Sequence, residues 1–295
     1  MKVLVTGASG QVGRAIAEAA SDFPKLSFTF SGRAMLDLGD RGSASRLVEQ
    51  LRPDAVVNAA AYTAVDKAEG ERELAFAVNA SGAGELAEAA ARFDAPIIHL
   101  STDYVFDGRA DEPYDEVAPT NPLNAYGRSK LEGERAVAGA NAGHMIIRTS
   151  GVHSPFGTNF VKTMLRLASD RDEVRVVADQ FGCPTSAHSL AGAIVGVVDG
   201  WKSGGARGQG QTYHLTGEGS CSWAEFASAI IDLSLRMGGP SANVVPIATE
   251  DYPTAAERPR YTALDCRKFD RDFGVRLPHW SDALAPIVRR LVDAE

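Results

Sequence analysis

The stretch Lys2-Val3-Leu4-Val5-Thr6-Gly7-Ala8-Ser9-Gly10-Gln11-Val12-Gly13 decides the fold. A short apolar run enters a loop with glycines spaced G-x-x-G-x-x-G, and a segment of good helix formers, Gln11–Ala20, leaves it. Glycine permits a tight turn and a close approach of backbone to ligand, while the free N–H groups and positive end of the helix attract a pyrophosphate. In that strand, loop and helix context, Gly7, Gly10, Gln11, Val12 and Gly13 read as a dinucleotide cradle. The plainer alternative is a strand-to-helix turn with no ligand.

Outward from this loop, short apolar runs alternate with longer helical patterns, as in βαβ units with a parallel sheet. Strands are expected at Lys2–Thr6, Leu26–Phe30, Ala55–Asn58, Ile97–Ser101 and Met145–Thr149, with helices at Gln11–Ala20, Ser43–Leu51 and Ala83–Arg92. The strands are apolar on both faces, as sheets covered on both sides require. The expected class is therefore α/β, a doubly wound parallel sheet over residues 1–150. After Thr149 prolines and glycines break the rhythm, at Pro155, Gly157, Gly182, Pro184 and the run Gly204–Gly210. A smaller C-terminal substrate-binding lobe is expected over 151–185 and 216–295, with 186–215 rejoining the sheet. Helices are expected there at Asn159–Ala168, His188–Val198, Ser222–Met237 and Ser281–Val292, and strands at Val174–Ala178, Tyr213–Leu215 and Val244–Ile247.

Composition narrows the function. The chain has 295 residues, 44% of them apolar, and a formal net charge of −8. That is a globular profile, and clustered Lys and Arg for displacing counterions from nucleic acid are missing, so nucleic acid is excluded as a partner. No apolar run approaches the ~20 residues of a membrane span, and no signal peptide is recognisable. Cys183, Cys221 and Cys266 are too scattered for a disulfide framework or a zinc site, which points to reduced thiols in the cytoplasm. Six histidines show no metal-ligand spacing, and no catalytic metal is expected.

Two further segments carry chemistry. The second strand ends Phe30-Ser31-Gly32-Arg33, without the acid that NAD-selective folds place on the ribose. Arg33 would pair with a 2′-phosphate, which favours NADPH with NADH as the alternative, and Asp37 with the adjoining Leu38 would lie at the adenine end. Tyr126-Gly127-Arg128-Ser129-Lys130 puts a phenol and an ammonium on one helical face. The ammonium is expected to lower the phenol's pKa, so that Tyr126 can protonate a carbonyl oxygen as hydride reaches carbon. Finally, His99-Leu100-Ser101-Thr102-Asp103 ends a strand in polar groups, where ligands of open α/β sheets bind. Thr102 is placed there to hydrogen-bond a substrate oxygen.

Together these motifs resemble the extended short-chain dehydrogenase/reductases of Rossmann fold. More narrowly, the chain is similar to the dTDP-4-dehydrorhamnose reductase family over nearly its whole length. The resemblance is carried by GQVG (10–13), VVNAAAYTAVDKAE (56–69), STDYVFDG (101–108), PLNAYGRSK (122–130), RTSGVH (148–153), FVKTMLRLA (160–168), DQFGCPT (179–185) and ERPRYTALD (257–265). It implies reduction of the 4-keto group of a dTDP-4-keto-6-deoxyhexose by a nicotinamide cofactor. It makes Tyr126 the proton donor and Lys130 its partner on the nicotinamide ribose, and Thr102 the group that polarises the keto oxygen. Ala60, Ala61 and Leu100 would line the cofactor, Thr63, Val65 and Asp103 would face the sugar, and Asn79 would bridge helix and site. Arg258 and Arg260 are candidates for the diphosphate.

One departure bears on substrate. Where the family has Trp against the sugar nucleotide this chain has Gly151, and His153 stands where Tyr or Phe is usual. The missing ring removes apolar contact beside the substrate and leaves the proton-transfer residues untouched. Related readings are a nucleotide-sugar epimerase or 4,6-dehydratase; dehydratases carry an extra acid after Thr-Asp, and Tyr104 stands there. A reading of another class is a non-catalytic regulatory subunit like that of methionine adenosyltransferase, which would bind without turnover. Some family members form a homodimer around carboxylate-bound magnesium, and no spacing here decides for or against either.

Overall fold

The computed structural model describes residues 1–202 and 205–294, so Gly204 of the expected glycine run lies outside the described residues. The first half alternates as the periodicity requires: β1 (Lys2–Thr6), α1 (Gln11–Ala19), β2 (Ser27–Ser31), α2 (Ser43–Leu51), β3 (Ala55–Asn58), α3 (Arg72–Phe76), α4 (Ala83–Ala91), β4 (Ile97–Thr102), α5 (Ala125–Ala140) and β5 (His144–Thr149). There follow β6 (Val152–His153), α6 (Phe160–Asp170), β7 (Glu173–Val177), β8 (Phe181–Gly182), β9 (Thr185–Ser186), α7 (Ala187–Lys202), β10 (Gln211–His214), β11 (Cys221–Ser222), α8 (Trp223–Arg236), β12 (Asn243–Ile247), α9 (Arg267–Phe273) and α10 (Trp280–Val292).

The main sheet has the order β10-β5-β4-β3-β1-β2, all parallel. Strand order reverses at β1, which makes the crevice beside it the switch point where such sheets bind ligands. Alternation along each strand divides the core. Val3, Val5, Ile98 and Ile147 face α1 and α7, while Leu4, Val56, Ile97 and Ile146 face α2, α4 and α5. The stretch after the second lobe begins thus returns to the sheet: β10 pairs with β5, and α7 packs along α1. A third cluster, built on α6, α8 and α10 around Phe226, Ile230, Leu284 and Val288, forms the core of the smaller lobe. There β7 and β12 pair in parallel.

Several boundaries differ from expectation for local reasons. The second strand runs one residue later, because Ser27 to Ser31 register against Lys2 to Thr6. Helix α2, by contrast, keeps its expected bounds: it begins beyond Gly42 in a left-handed conformation, and Glu85 of α4 accepts from Gly42 and Ser45 at 2.9 and 3.0 Å, satisfying N–H groups at its start from outside. Between α3 and α4 the helix widens into a π segment, Ala77–Gly82, that the sequence periodicity does not signal. Such bulges are frequent at functional sites.

Candidate active site

The carboxyl edge of the sheet changes abruptly from apolar to polar. In strand order from β2 to β10 its last residues are Ser31, Thr6, Asn58, Thr102, Thr149 and His214, all buried. Buried polar groups need partners, so a row of this kind requires internal networks or a ligand. Among the described residues three buried side-chain polar atoms have no partner, and two of them belong to this row: Ser31 Oγ and Thr149 Oγ1. The third is His153 Nε2.

The glycine loop leaves the edge between Thr6 and α1. Gly7 has φ +70°, and a Cβ there would strike Ala59 O at 2.6 Å and Ala60 N at 2.7 Å, so this turn admits only glycine. Gly13 approaches the Gly7 carbonyl so closely that a Cβ would overlap it. The N–H of Arg14 bonds the Gly10 carbonyl, which leaves those of Gln11, Val12 and Gly13 ahead of the helical ladder. They are suited to a pyrophosphate, and with the two unpartnered hydroxyls of the edge the residues fit a dinucleotide. The Gln11 side chain does something else. Its amide donates to Val152 O and accepts from Ser154 Oγ and Asn159 Nδ2, at 2.8 to 3.1 Å, joining the loop to the start of the second lobe. Only its backbone is free for phosphate.

Thr102 and Tyr126 lie side by side at the tip of β4, with Lys130 one turn further along α5. Asn124 caps α5 by accepting from Gly127 N at 2.8 Å, which sets Tyr126 in the first turn with Lys130 one turn on. Tyr126 lies edge-on to Tyr104, ring centres 6.0 Å apart, and is half-buried. Burial pushes its pKa up to about 12, although the Thr102 hydroxyl beside it pulls downward and the nearby Asp103 pushes further up. The expected lowering by the lysine is not what the structure shows. Lys130 points its Nζ away, into the sheet, donating to Leu100 O at 2.6 Å with His99 Nε2 at 3.4 Å. Burial pulls its own pKa down to about 8, partly offset by the Glu134 carboxylate. Tyr126 is therefore held protonated at neutral pH.

Thr102 Oγ1 donates to Asp103 Oδ1 at 2.9 Å, and Ser150 Oγ donates to Asp103 Oδ2 at 2.7 Å. Burial raises the Asp103 carboxyl, against the hydrogen bonds from Thr262, Ser150 and Thr102. Asp103 thus holds the Thr102 hydroxyl in place from beneath. Asn79, in the π segment, accepts from Tyr62 N at 2.7 Å and donates to Tyr62 O and Ser129 Oγ, both at 2.9 Å. It pins the loop after β3, which carries Ala60, Ala61, Thr63 and Val65, to the helix that carries Tyr126. Of these Thr63 is exposed and the other three are half-buried.

Three groups of expected site residues have partners or neighbours that the sequence did not show. Arg33 is exposed, its side chain 76% accessible, and its Nε donates to Asp37 Oδ2 at 3.0 Å. Asp37 also accepts from Gly39 N, and this bond with the arginine lowers its pKa; Leu38 is buried beneath. Arg258 is not open to a diphosphate, because both its terminal nitrogens donate to Asp66, in the loop after β3. Arg260 reaches Asp179 at 3.4 Å. Gly151 leaves little space for a side chain: its φ is +55°, which strains any residue with a Cβ, and that Cβ would lie a tight 3.1 Å from Pro184 Cα and 3.3 Å from Cys183 O. His153 is wholly buried against Phe226, 5.2 Å between ring centres.

Sequence reasoning missed Ser31, Thr149, Asn58 and Asp66. A polar residue closing each apolar strand was a visible signal for the first three. Among the described residues no cluster of three potential metal ligands occurs, and no helix is long and apolar enough to cross a membrane.

Comparison with known proteins agrees with this geometry. The profile of the family described as RmlD substrate binding domain matches residues 1–292. A Sinorhizobium fredii protein named dTDP-4-dehydrorhamnose reductase is 47% identical over 292 residues, 99% of this chain and 97% of that one. The crystal structure of such a reductase from Clostridium acetobutylicum superposes with a TM-score of 0.91 at 38% identity, covering 99% of both chains. One from Bacillus anthracis, in complex with NADP, gives 0.87 at 35%, covering 97% of this chain and 98% of that one.

Proposed function

The chain belongs to the RmlD substrate binding domain family, and from that premise we propose that it reduces the 4-keto group of dTDP-4-dehydro-L-rhamnose to give dTDP-L-rhamnose, using NADPH, with Tyr126 as proton donor. The observation that carries this reading is the pairing of Tyr126 with Thr102 at the tip of β4, with Lys130 held on Leu100 of the same strand and the glycine loop at the same carboxyl edge of the sheet. Bound NADPH would supply the hydride.

The chain's own residues do the rest. Thr102, whose single O–H goes to Asp103 here, would turn that hydrogen from the carboxylate to the keto oxygen. Tyr126, with a pKa near 12, keeps its proton until negative charge grows on that oxygen. Lys130, with a pKa near 8, gains and loses its proton easily one helical turn from the phenol. Gly7, Gly10, Gln11, Val12 and Gly13 would hold the pyrophosphate through backbone N–H groups. Arg33 would meet a 2′-phosphate at the rim by releasing Asp37, which makes the NADPH preference modest and leaves NADH as the alternative. Ala60, Ala61 and Leu100 would flank the nicotinamide half, and residues 151–185 and 216–295 would close on the sugar nucleotide. Arg258 acts in this reading through Asp66, tying the C-terminal loop to the loop that bears Thr63 and Val65. We place the enzyme in the cytoplasm.

The test is Tyr126→Phe. It removes the transferable proton and keeps the ring, so kcat should fall by ~10²-fold or more with NADPH affinity nearly unchanged. Wild-type turnover in that variant would exclude Tyr126 as donor.

A further inference from the structure

A chain of buried hydrogen bonds runs beneath the active site, across three neighbouring strands and into α5. It begins at the N–H of Ala60, 3.2 Å from Thr6 Oγ1 and 3.3 Å from Asn58 Oδ1. The Thr6 hydroxyl donates to Asn58 Oδ1 at 2.6 Å, Asn58 Nδ2 lies 2.9 Å from His99 Nδ1, and His99 Nε2 lies 3.4 Å from Lys130 Nζ. The strand register aligns the members, with Thr6 opposite Asn58 and Asn58 opposite His99. Thr6, Asn58, His99 and Lys130 are each no more than 2% accessible, so water does not complete their bonding.

Direction along this chain is set from its backbone end. The Ala60 N–H can only donate, so Thr6 Oγ1 accepts from it and gives its own proton to the one atom left, which must be Asn58 Oδ1; this fixes the Asn58 amide with Oδ1 toward Thr6 and Nδ2 toward the imidazole. His99 Nδ1 must then accept. A neutral imidazole that accepts at Nδ1 carries its proton on Nε2, which is the atom facing Lys130. Burial and the lysine charge drive the His99 pKa well down, so the ring stays neutral.

We propose that His99 is a positioning residue for Lys130: the chain from Ala60 through Thr6 and Asn58 locks its proton onto Nε2, and that N–H, aimed at the lysine, disfavours the ammonium and keeps the lysine proton labile. The inference rests on the reading of Lys130 as partner of Tyr126 only for its catalytic meaning; the protonation state itself stands on the hydrogen-bond chain. Other groups around Lys130 are Glu134 one turn on in α5, whose carboxylate favours the ammonium, Arg148 of β5, which pairs with Glu134 at 2.7 Å, Tyr126 one turn back, and the Leu100 carbonyl, which accepts from Nζ. None of these presents a hydrogen to the lysine nitrogen; His99 does.

The test reads nitrogen and carbon resonances in the full-length protein labelled with ¹⁵N-histidine and ¹³C-lysine, with Lys130→Met used only for assignment. His99 should show a bare Nδ1 and a protonated Nε2 from pH 6 to 9. A protonated Nδ1, or an imidazolium, overturns the proposal. The second arm is Asn58→Leu, which removes the anchor without adding charge. Released from Asn58, the imidazole can turn a lone pair toward Lys130, and the lysine titration should move up by about one pH unit, a tenfold change. If burial alone set the lysine, the added apolar side chain would leave the midpoint unchanged or lower, and that result also overturns the proposal. Should Asn58→Leu fail to fold, the wild-type tautomer decides. Because neither arm measures turnover, a failure here leaves the role of Tyr126 standing, and a failure of Tyr126→Phe leaves this one standing.

Discussion

His153→Phe should make the protein more resistant to acid, by an amount the structure sets. The imidazole is wholly buried, its Nδ1 lies 3.2 Å from Gly151 O, and its Nε2 has no partner. Burial lowers its pKa from 6.5 to about 4, against the hydrogen bond to Gly151. A base with a depressed pKa favours folding while it is neutral. That stability is complete above pH 6.5 and is lost as the pH falls from 6.5 toward about 4, where the unfolded chain binds the proton first. At pH 5 the loss from this residue is about 2 kcal/mol, taking ~1.36 kcal/mol per pH unit. Phenylalanine keeps the ring against Phe226 and cannot titrate. Urea unfolding of both proteins at pH 8 and pH 5 gives the comparison: between those values the wild type should lose about 2 kcal/mol more than His153→Phe. His99 and His214, lowered by burial in both proteins, cancel in that difference. Equal losses in the two proteins would refute the reasoning.

The other predictions concern the cofactor and the loop at Gly151. Arg33→Ala should weaken NADPH by ~1 kcal/mol, a small figure because the guanidinium is exposed and already paired, and should leave NADH unchanged; isothermal titration with each cofactor checks this. Gly151→Ala should cost ~1–2 kcal/mol of stability for its left-handed φ, and Gly151→Trp more, measured as a fall in Tm. A Gly151→Trp variant that is as stable as wild type and binds dTDP-sugar more tightly would show that the loop around Pro184 yields.

The fold was legible where one physical pattern acted alone. β1, β3 and α2 follow their expected bounds residue for residue, because each is an apolar run or amphipathic stretch closed by Gly, Asn or Pro. The strand expected at Tyr213–Leu215 does return to the sheet, but as β10 over Gln211–His214, a largely polar stretch whose bounds are set by pairing with β5. The π segment escaped, since its widening serves Asn79 and Tyr62 rather than any sequence period. At the candidate site, the elements were legible: spacing sets Tyr126 and Lys130 on one helix, and Thr102 ends its strand. What they touch was not. Lys130 meets a carbonyl and an imidazole supplied by β4, and Arg258 meets Asp66 from 192 positions away. Those pairings depend on which strands lie side by side, which a one-dimensional pattern does not carry.

The measurement closest to the central claim is NADPH oxidation by the purified protein with dTDP-4-dehydro-L-rhamnose, run beside NADH and other dTDP-linked 4-keto sugars, with the sugar product identified by NMR. The account predicts one NADPH consumed for each dTDP-L-rhamnose formed, and loss of that turnover in Tyr126→Phe. A folded protein that binds NADPH yet leaves the keto group of this substrate intact would contradict it.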